Sequence, residues 1–246
     1  MTDTRIIGHM VTRNEMGRYL PITLKWLSKI TDEVYVHDDR STDGTFEHVW
    51  TRVPSDKRDP DDVSFAEDEG LFRGAAWRRM ELFFAPTERD WILCIDADEL
   101  LLSTLPLSDT RAALVSEVQT AMIVGANAIT FDIAETFDLA EGVPQIRTDG
   151  YWGKIRGCRL VRWRPNGRFS AGEACGSVPR SWTSDDYVSL DLAILHLGYL
   201  RREDRIAKYQ RYSAGTGHNP RHVASILTPA LLQPWAGQLV PTGITT

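Results

Sequence analysis

Five apolar residues, Trp91-Ile92-Leu93-Cys94-Ile95, run directly into three carboxylates within four positions, Asp96-Ala97-Asp98-Glu99. An apolar run this short reads as a strand buried on both faces. Acids at the C-terminal end of such a strand stand where open α/β sheets bind their ligands. On an extended chain Asp96 and Asp98, two positions apart, face the same way. Like charges so placed repel unless a cation or a hydrogen-bond donor lies between them. The stretch therefore predicts a metal or diphosphate site.

The residues before it alternate between strand and helix. Arg5 to Val11 predicts a first strand, and Thr12-Arg13-Asn14-Glu15 the loop after it. Leu20, Leu24 and Leu27 then recur at helical spacing, with Pro21 suited to a helix start. Glu33 to His37 predicts a second strand that also ends in acids, Asp38 and Asp39, before the Ser41-Thr42-Asp43-Gly44 turn. Residues 54–62 predict an exposed loop, Val63 to Ala66 a third strand, and Gly70 to Ala85 a helix carrying Arg73, Arg78 and Arg79. The order strand, helix, strand, helix, strand predicts an α/β protein with a parallel half-sheet.

Beyond Leu102 the pattern loosens. Asp109 predicts a cap for a helix to about Met122, and Ala128 to Ile133 a strand. Arg156 to Trp163 with Pro165-Asn166-Gly167 and Arg168-Phe169 predicts a hairpin turning at Asn-Gly. Ser189 to Leu197 predicts a strand, Arg201 to Ser213 a basic helix, and the segment from Gly215 an irregular arm. The expected organisation is one domain: a binding half over residues 1–102, an acceptor-side half over 103–214, and a C-terminal arm over 215–246.

Bulk properties exclude several classes. A net charge of −6 over 246 residues gives no footprint for binding duplex nucleic acid. No apolar run approaches bilayer length, and the polar N-terminus is not a signal peptide. Cys94, Cys158 and Cys175 are few, odd in number and without metal-ligand spacing, which favours a reducing cytoplasm.

Three motifs in order carry a resemblance: Arg13-Asn14-Glu15, then Asp38-Asp39-Arg40-Ser41-Thr42-Asp43-Gly44-Thr45, then Asp96-Ala97-Asp98-Glu99. The run resembles the N-terminal half of family 2 glycosyltransferases, which have the GT-A fold, a Rossmann-like and mostly parallel sheet flanked by helices. The resemblance implies transfer of a sugar from a nucleoside diphosphate, a UDP-sugar first, with inversion at the anomeric carbon. It implies that Asp38 or Asp39 accepts hydrogen bonds from the base and ribose, although Asp is also a common cap of such a turn. Capping is the expected role of Asp43. The resemblance further implies that Asp96 meets the ribose or a metal-bound water, and that Asp98 ligates Mn²⁺ or Mg²⁺, hard ions that prefer carboxylate and phosphate oxygens. Glu99 is expected to brace the loop or pair with a nearby Arg. Arg73 matches a basic residue that approaches the donor.

The second half carries less. Glu173, in Ala171-Gly172-Glu173, is the expected general base, with Gly172 where relatives often have His; Asp185 and Asp186 are the runners-up. His196-Leu197-Gly198-Tyr199, followed by Arg205, Lys208 and Arg211, resembles a late segment in which the His completes the metal shell and a helix cation meets the diphosphate. A lone His on an apolar strand is otherwise a core residue. Trp77, Trp152, Trp163 and Trp182 offer sugar-stacking surfaces, with Trp152 the acceptor-side candidate. The acceptor itself (protein, glycan, small molecule or modified base) is open. Two other functions are open as well: a sugar nucleotidyltransferase, which wants a Gly-rich basic loop after the first strand, and a non-catalytic binding module.

Overall fold

The computed structural model describes residues 4–106, 108–150, 152–165, 167–172, 177–182, 186–214, 220–228 and 230–238. Its centre is a parallel block. Strands β1 (Ile6–Thr12), β2 (Glu33–Asp38) and β3 (Ser55–Lys57) step outward in one direction, and β4 (Trp91–Cys94) returns to the other side of β1. Helices α1 (Leu20–Ile30), α2 (Thr45–Trp50) and α3 (Glu69–Phe84) make the connections.

Alternation along the strands decides which helix each face receives. Ile6 and Met10 of β1, Val34 and Val36 of β2, and Trp91 and Leu93 of β4 pack with Leu20, Leu24 and Leu27 of α1 and Val49 of α2. The intervening Ile7, Tyr35 and Ile92 pack with Trp77 and Met80 of α3. A Cβ at Gly8 would lie 2.9 Å from the Leu27 side chain, so the glycine lets α1 lie close on β1. Both faces of β1 and β4 are therefore covered, as their unbroken apolar sequences require.

Beyond β4 the sheet is antiparallel and mixed. Strand β5 (Glu99–Ser103) follows the acid motif at once, then α4 (Thr110–Val124), β6 (Ala128–Ala140), β7 (Val143–Arg147), β8 (Arg156–Arg162) and β9 (Asp186–His196). Asp109 caps α4 through Arg111 N and Ala112 N. Helices α5 (Arg202–Ala214) and α6 (Pro220–Ser225) and strand β10 (Leu232–Pro234) complete the described chain. The strand order is β10-β7-β6-β8-β4-β1-β2-β3, with β9 bridging β5 and β6. The mixed α/β architecture expected from the sequence is present, and no helix of the described residues is long and apolar enough to cross a membrane.

Three local expectations are corrected. Residues 55–57, expected in a loop, form edge strand β3 on β2. Val63 to Ala66 is a turn rather than a strand: Glu67 accepts from Ser64 N and Oγ, and Phe65 N is drawn to Asp39 Oδ2 at 3.2 Å. The hairpin after β8 does not form, because β8 already pairs with β4 on one edge and β6 on the other. Phe169 instead packs edge-on against Trp77, ring centroids 6.0 Å apart.

Candidate functional site

The order in which strands are added reverses at β1, with β4 parallel to it on the side away from β2, and the two loops leaving their C-terminal ends carry Arg13-Asn14-Glu15 and Asp96-Ala97-Asp98. Such a switch point opens a crevice at the C-terminal edge of a sheet.

The first two motifs turn out to be one structure. Asn14, at φ 55°, accepts from Thr42 N at 2.8 Å, and its own N–H donates to Ser41 Oγ at 2.8 Å. Glu15 N donates to Thr45 Oγ1 at 2.8 Å and Met16 N to Asp43 Oδ2 at 3.1 Å. Asp43 thus caps the turn, as expected. Asp38 takes the same kind of role: it accepts from Ser41 N at 2.8 Å, Ser41 Oγ at 2.6 Å and Thr12 Oγ1 at 3.3 Å. Asp39 accepts from Arg58 Nε at 2.6 Å, Arg13 at 3.0 Å and Phe65 N. The two acids are 0% and 1% exposed, and each of their oxygens already has a donor. The expectation that either faces a nucleotide is therefore corrected; buried carboxylates are held by their internal donors. Arg13 reaches solvent here, with half of its side chain exposed.

Asp96 and Asp98 do not face the same way. Strand β4 stops at Cys94, and Glu99 N bonds Asp96 O at 3.0 Å, so residues 96–98 form a turn instead of an extended segment. Asp96 stays on the α3 side, where Arg73 reaches it at 3.1 Å while Glu69 holds Arg73 Nε at 2.8 Å. Arg73 is 5% exposed, so it fixes Asp96 from behind, and Asp96 keeps 30% of its side chain open to the crevice. Burial raises the Asp96 carboxyl, but Arg73 and Arg159 outweigh it and the net direction is down. Glu99 is the brace expected of it. It is 3% exposed, accepts from Asp96 N at 3.1 Å, and takes a two-pronged ion pair from Arg159 at 2.8 and 3.2 Å.

Asp98 turns to the opposite wall. Its Oδ2 lies 3.3 Å from His196 Nε2, 3.5 Å from Lys208 Nζ and 3.9 Å from Arg18. Lys208 Nζ is also 3.1 Å from His196 Nε2 and 4.3 Å from the Tyr199 ring centre. A Cβ at Gly198 would collide with Lys208 Nζ and Asp98 Oδ2 and stand 2.6 Å from His196 Nε2, so only glycine leaves room for the three to meet. Glu135 holds His196 Nδ1 at 2.6 Å, while Glu15 and Asp204 hold Arg18 at 2.8 and 3.1 Å. Burial pushes the Asp98 carboxyl up, yet His196 and Lys208 bring it well below the usual range. Burial and the nearby Asp98 push Glu15 up to about 7. At an effective dielectric near 20, Lys208 and Asp98 attract by roughly 5 kcal/mol before desolvation is counted.

The fit of a divalent cation follows from this geometry. Asp98 Oδ2 and His196 Nε2 point at the same space, as metal ligands would, but the Lys208 ammonium lies within reach of both. Burial and Lys208 work against charge on His196, while Glu135 and Asp98 overcome them and raise it to about 10. Among the described residues no group of three or more His, Cys, Asp or Glu side chains is arranged to hold a metal. The donor set as built does not fit Mn²⁺ or Mg²⁺, against the expectation for Asp98 and His196.

Glu173 and Asp185 lie outside the described residues; Gly172, beside the former, donates to Asp68 Oδ2 at 2.9 Å at the N-terminus of α3. Asp186 accepts from Thr130 Oγ1 at 2.7 Å at the start of β9, whose other end is His196. Asp186 pairs with Ala128 of β6 and His196 with Glu135, so the two ends lie roughly 23 Å apart and Asp186 cannot act as a base beside Asp98. Trp152 is 2% exposed with its indole N–H on Ser225 Oγ, and Trp77 and Trp182 are buried against each other, so none of the three offers a stacking surface. A cavity of about 680 Å³ opens instead between α5 and the Ile226–Leu232 segment, lined by none of the acid-cluster residues. Arg18, Glu135, Asp204 and Gly198 were missed by sequence reasoning; only Gly198, inside His-Leu-Gly-Tyr, carried a local signal.

No family model matches the chain, and no curated protein matches it. Among solved structures, the chain is similar to 4-diphosphocytidyl-2C-methyl-D-erythritol synthase at 17% identity, over 66% of this chain and 76% of that one, with a TM-score of 0.38.

Proposed function

We propose that the chain is a glycosyltransferase that takes its sugar from a nucleoside diphosphate, a UDP-sugar first. The observation that carries this reading is the Asp96-Ala97-Asp98 turn at the switch point between β1 and β4. It parts two carboxylates, one toward Arg73 and one toward His196, Lys208 and Arg18. Breaking the bond from the anomeric carbon to the diphosphate puts negative charge on the leaving oxygen. Preorganised cations beside that oxygen stabilise the charge without reorganising as it forms. Asp96, the more open of the two acids, accepts hydroxyl hydrogen bonds from the ribose.

Nucleotidyl transfer, the competing reaction on a related fold, needs backbone N–H groups after the first strand to cradle a triphosphate. In this chain the N–H groups of Asn14, Glu15 and Met16 are already bonded to Ser41, Thr45 and Asp43. That supports glycosyl transfer.

The test is a panel of UDP-, GDP-, CDP- and dTDP-sugars, followed by calorimetry and by release of nucleoside diphosphate. Binding of one donor, weakened by about tenfold or more in Asp98→Asn, is the expected result. Release of pyrophosphate from a nucleoside triphosphate plus a sugar phosphate would replace the reading with nucleotidyl transfer.

A further inference from the structure

We propose that Lys208, rather than a divalent cation, supplies the positive charge that meets the donor's diphosphate, so that this chain binds and uses its nucleotide sugar without metal. The inference rests on the donor reading above and deepens it.

Four observations converge on it. Lys208 is 9% exposed, although an ammonium is strongly hydrated and costly to bury. Its Nζ lies 3.5 Å from Asp98 Oδ2 and 3.1 Å from His196 Nε2, over the Tyr199 ring at 4.3 Å. The side chain is thus held by a carboxylate and an aromatic face, which is a fixed position and not a solvated one. The backbone is cut to suit it, since any side chain at residue 198 would displace the ammonium.

The charges around it reinforce the point. Arg18 approaches the same Asp98 oxygen at 3.9 Å, itself tied to Glu15 and Asp204. A dication entering here would meet Lys208 and Arg18, and the carboxylates Asp98, Glu15, Asp204 and Glu135 are already engaged by Lys208, Arg18 and His196, whereas Mg²⁺ and Mn²⁺ ask for several oxygen ligands in open geometry. A diphosphate entering here would find two fixed cations already in place. Asp98 then acts as the residue that orients Lys208.

The experiment measures binding of UDP, GDP, CDP and dTDP by calorimetry in EDTA, in Mg²⁺ and in Mn²⁺, on the full chain. Lys208→Met and Lys208→Arg are run beside wild type, with melting curves to check that each is folded. The expected result is wild-type affinity for one nucleotide that changes less than about threefold between EDTA and Mn²⁺, and a loss of about tenfold or more in Lys208→Met that Lys208→Arg restores in part. Wild-type binding that appears only with Mg²⁺ or Mn²⁺ and vanishes in EDTA overturns the proposal, as does a folded Lys208→Met that binds like wild type in EDTA. Should Lys208→Met not fold, the wild-type comparison between EDTA and metal decides alone. Absence of binding by every nucleotide in every buffer removes the donor reading itself, a result distinct from metal dependence.

Discussion

Glu135 and His196 face each other across the register of β6 and β9, with Oε2 and Nδ1 2.6 Å apart and both side chains largely buried. The pair fixes the ring so that Nε2 points at Asp98 and Lys208. Removing Glu135 leaves a buried imidazolium beside an ammonium. Glu135→Gln is therefore expected to lose roughly 3 kcal/mol of stability in urea unfolding. The double variant with His196→Gln is expected to lose clearly less than the sum of the singles, since the orphaned charge is gone. Additive losses would show that the two side chains act independently.

Glu99 and Arg159 make the equivalent prediction on the other wall. Their two-pronged pair sits behind the Asp96 turn, and Glu99 Oε2 also accepts from Asp96 N. Glu99→Ala is expected to cost about 3–5 kcal/mol, because it strands the Arg159 guanidinium and an amide together. Denaturant unfolding of Glu99→Ala beside Glu99→Leu/Arg159→Met checks it: the apolar double variant should recover a large part of the loss.

Gly198 separates positioning from folding. A methyl group there meets Lys208 Nζ and Asp98 Oδ2, which are ends of flexible side chains, so the backbone itself is not forced apart. Gly198→Ala is expected to stay folded, within about 1–3 kcal/mol of wild type, and to lower nucleoside diphosphate affinity about tenfold by pushing the ammonium aside. Calorimetry on the folded variant gives the answer, and unchanged affinity would mean that the position of Lys208 does not matter to binding.

The parallel block was legible because its signals are local. Apolar strands, Pro21 at the start of α1, and Asp109 before α4 each act within a few residues of where they are written. Strand β5 was hidden for the opposite reason: Leu100, Leu101 and Leu102 follow the acids without a break, so nothing in the sequence marks where the turn ends. Asp38 and Asp39 look alike on paper to exposed ligand-binding acids. Their burial depends on Ser41, Arg13 and Arg58, the last nineteen residues beyond Asp39. The acid cluster was half legible. Asp98, His196 and Lys208 carry a motif, but Glu135 and Asp204 join through strand pairing and helix docking, which no short pattern encodes.

Asp186 supplies a control. It sits at the far end of β9 from His196 and bonds Thr130. Asp186→Asn is expected to leave nucleotide affinity and turnover within about twofold of wild type, given a separation of roughly 23 Å. A large loss of turnover in a folded variant would require the reaction centre to lie elsewhere than the β1–β4 crevice.

His9 predicts how the fold responds to acid. It is 2% exposed on β1, stacked on Tyr35 at 6.0 Å and tilted against Trp77 at 5.7 Å, and its Nε2 has no hydrogen-bond partner. Burial, with Arg73 and His37 adding to it, lowers its pKa from 6.5 to about 3. The folded chain therefore keeps His9 neutral where the unfolded chain has already taken up a proton. Its contribution is complete above pH 6.5 and is lost as pH falls from there toward 3, at up to about 1.4 kcal/mol per pH unit. Urea unfolding at pH 7, 6, 5 and 4, in wild type and His9→Phe, isolates the effect from that of the carboxylates. The wild-type curve is expected to fall more steeply between pH 6.5 and 4, whatever the offset between the two at pH 7. Parallel curves would mean that His9 is protonated in the folded chain, in contact with a partner other than the two rings that enclose it.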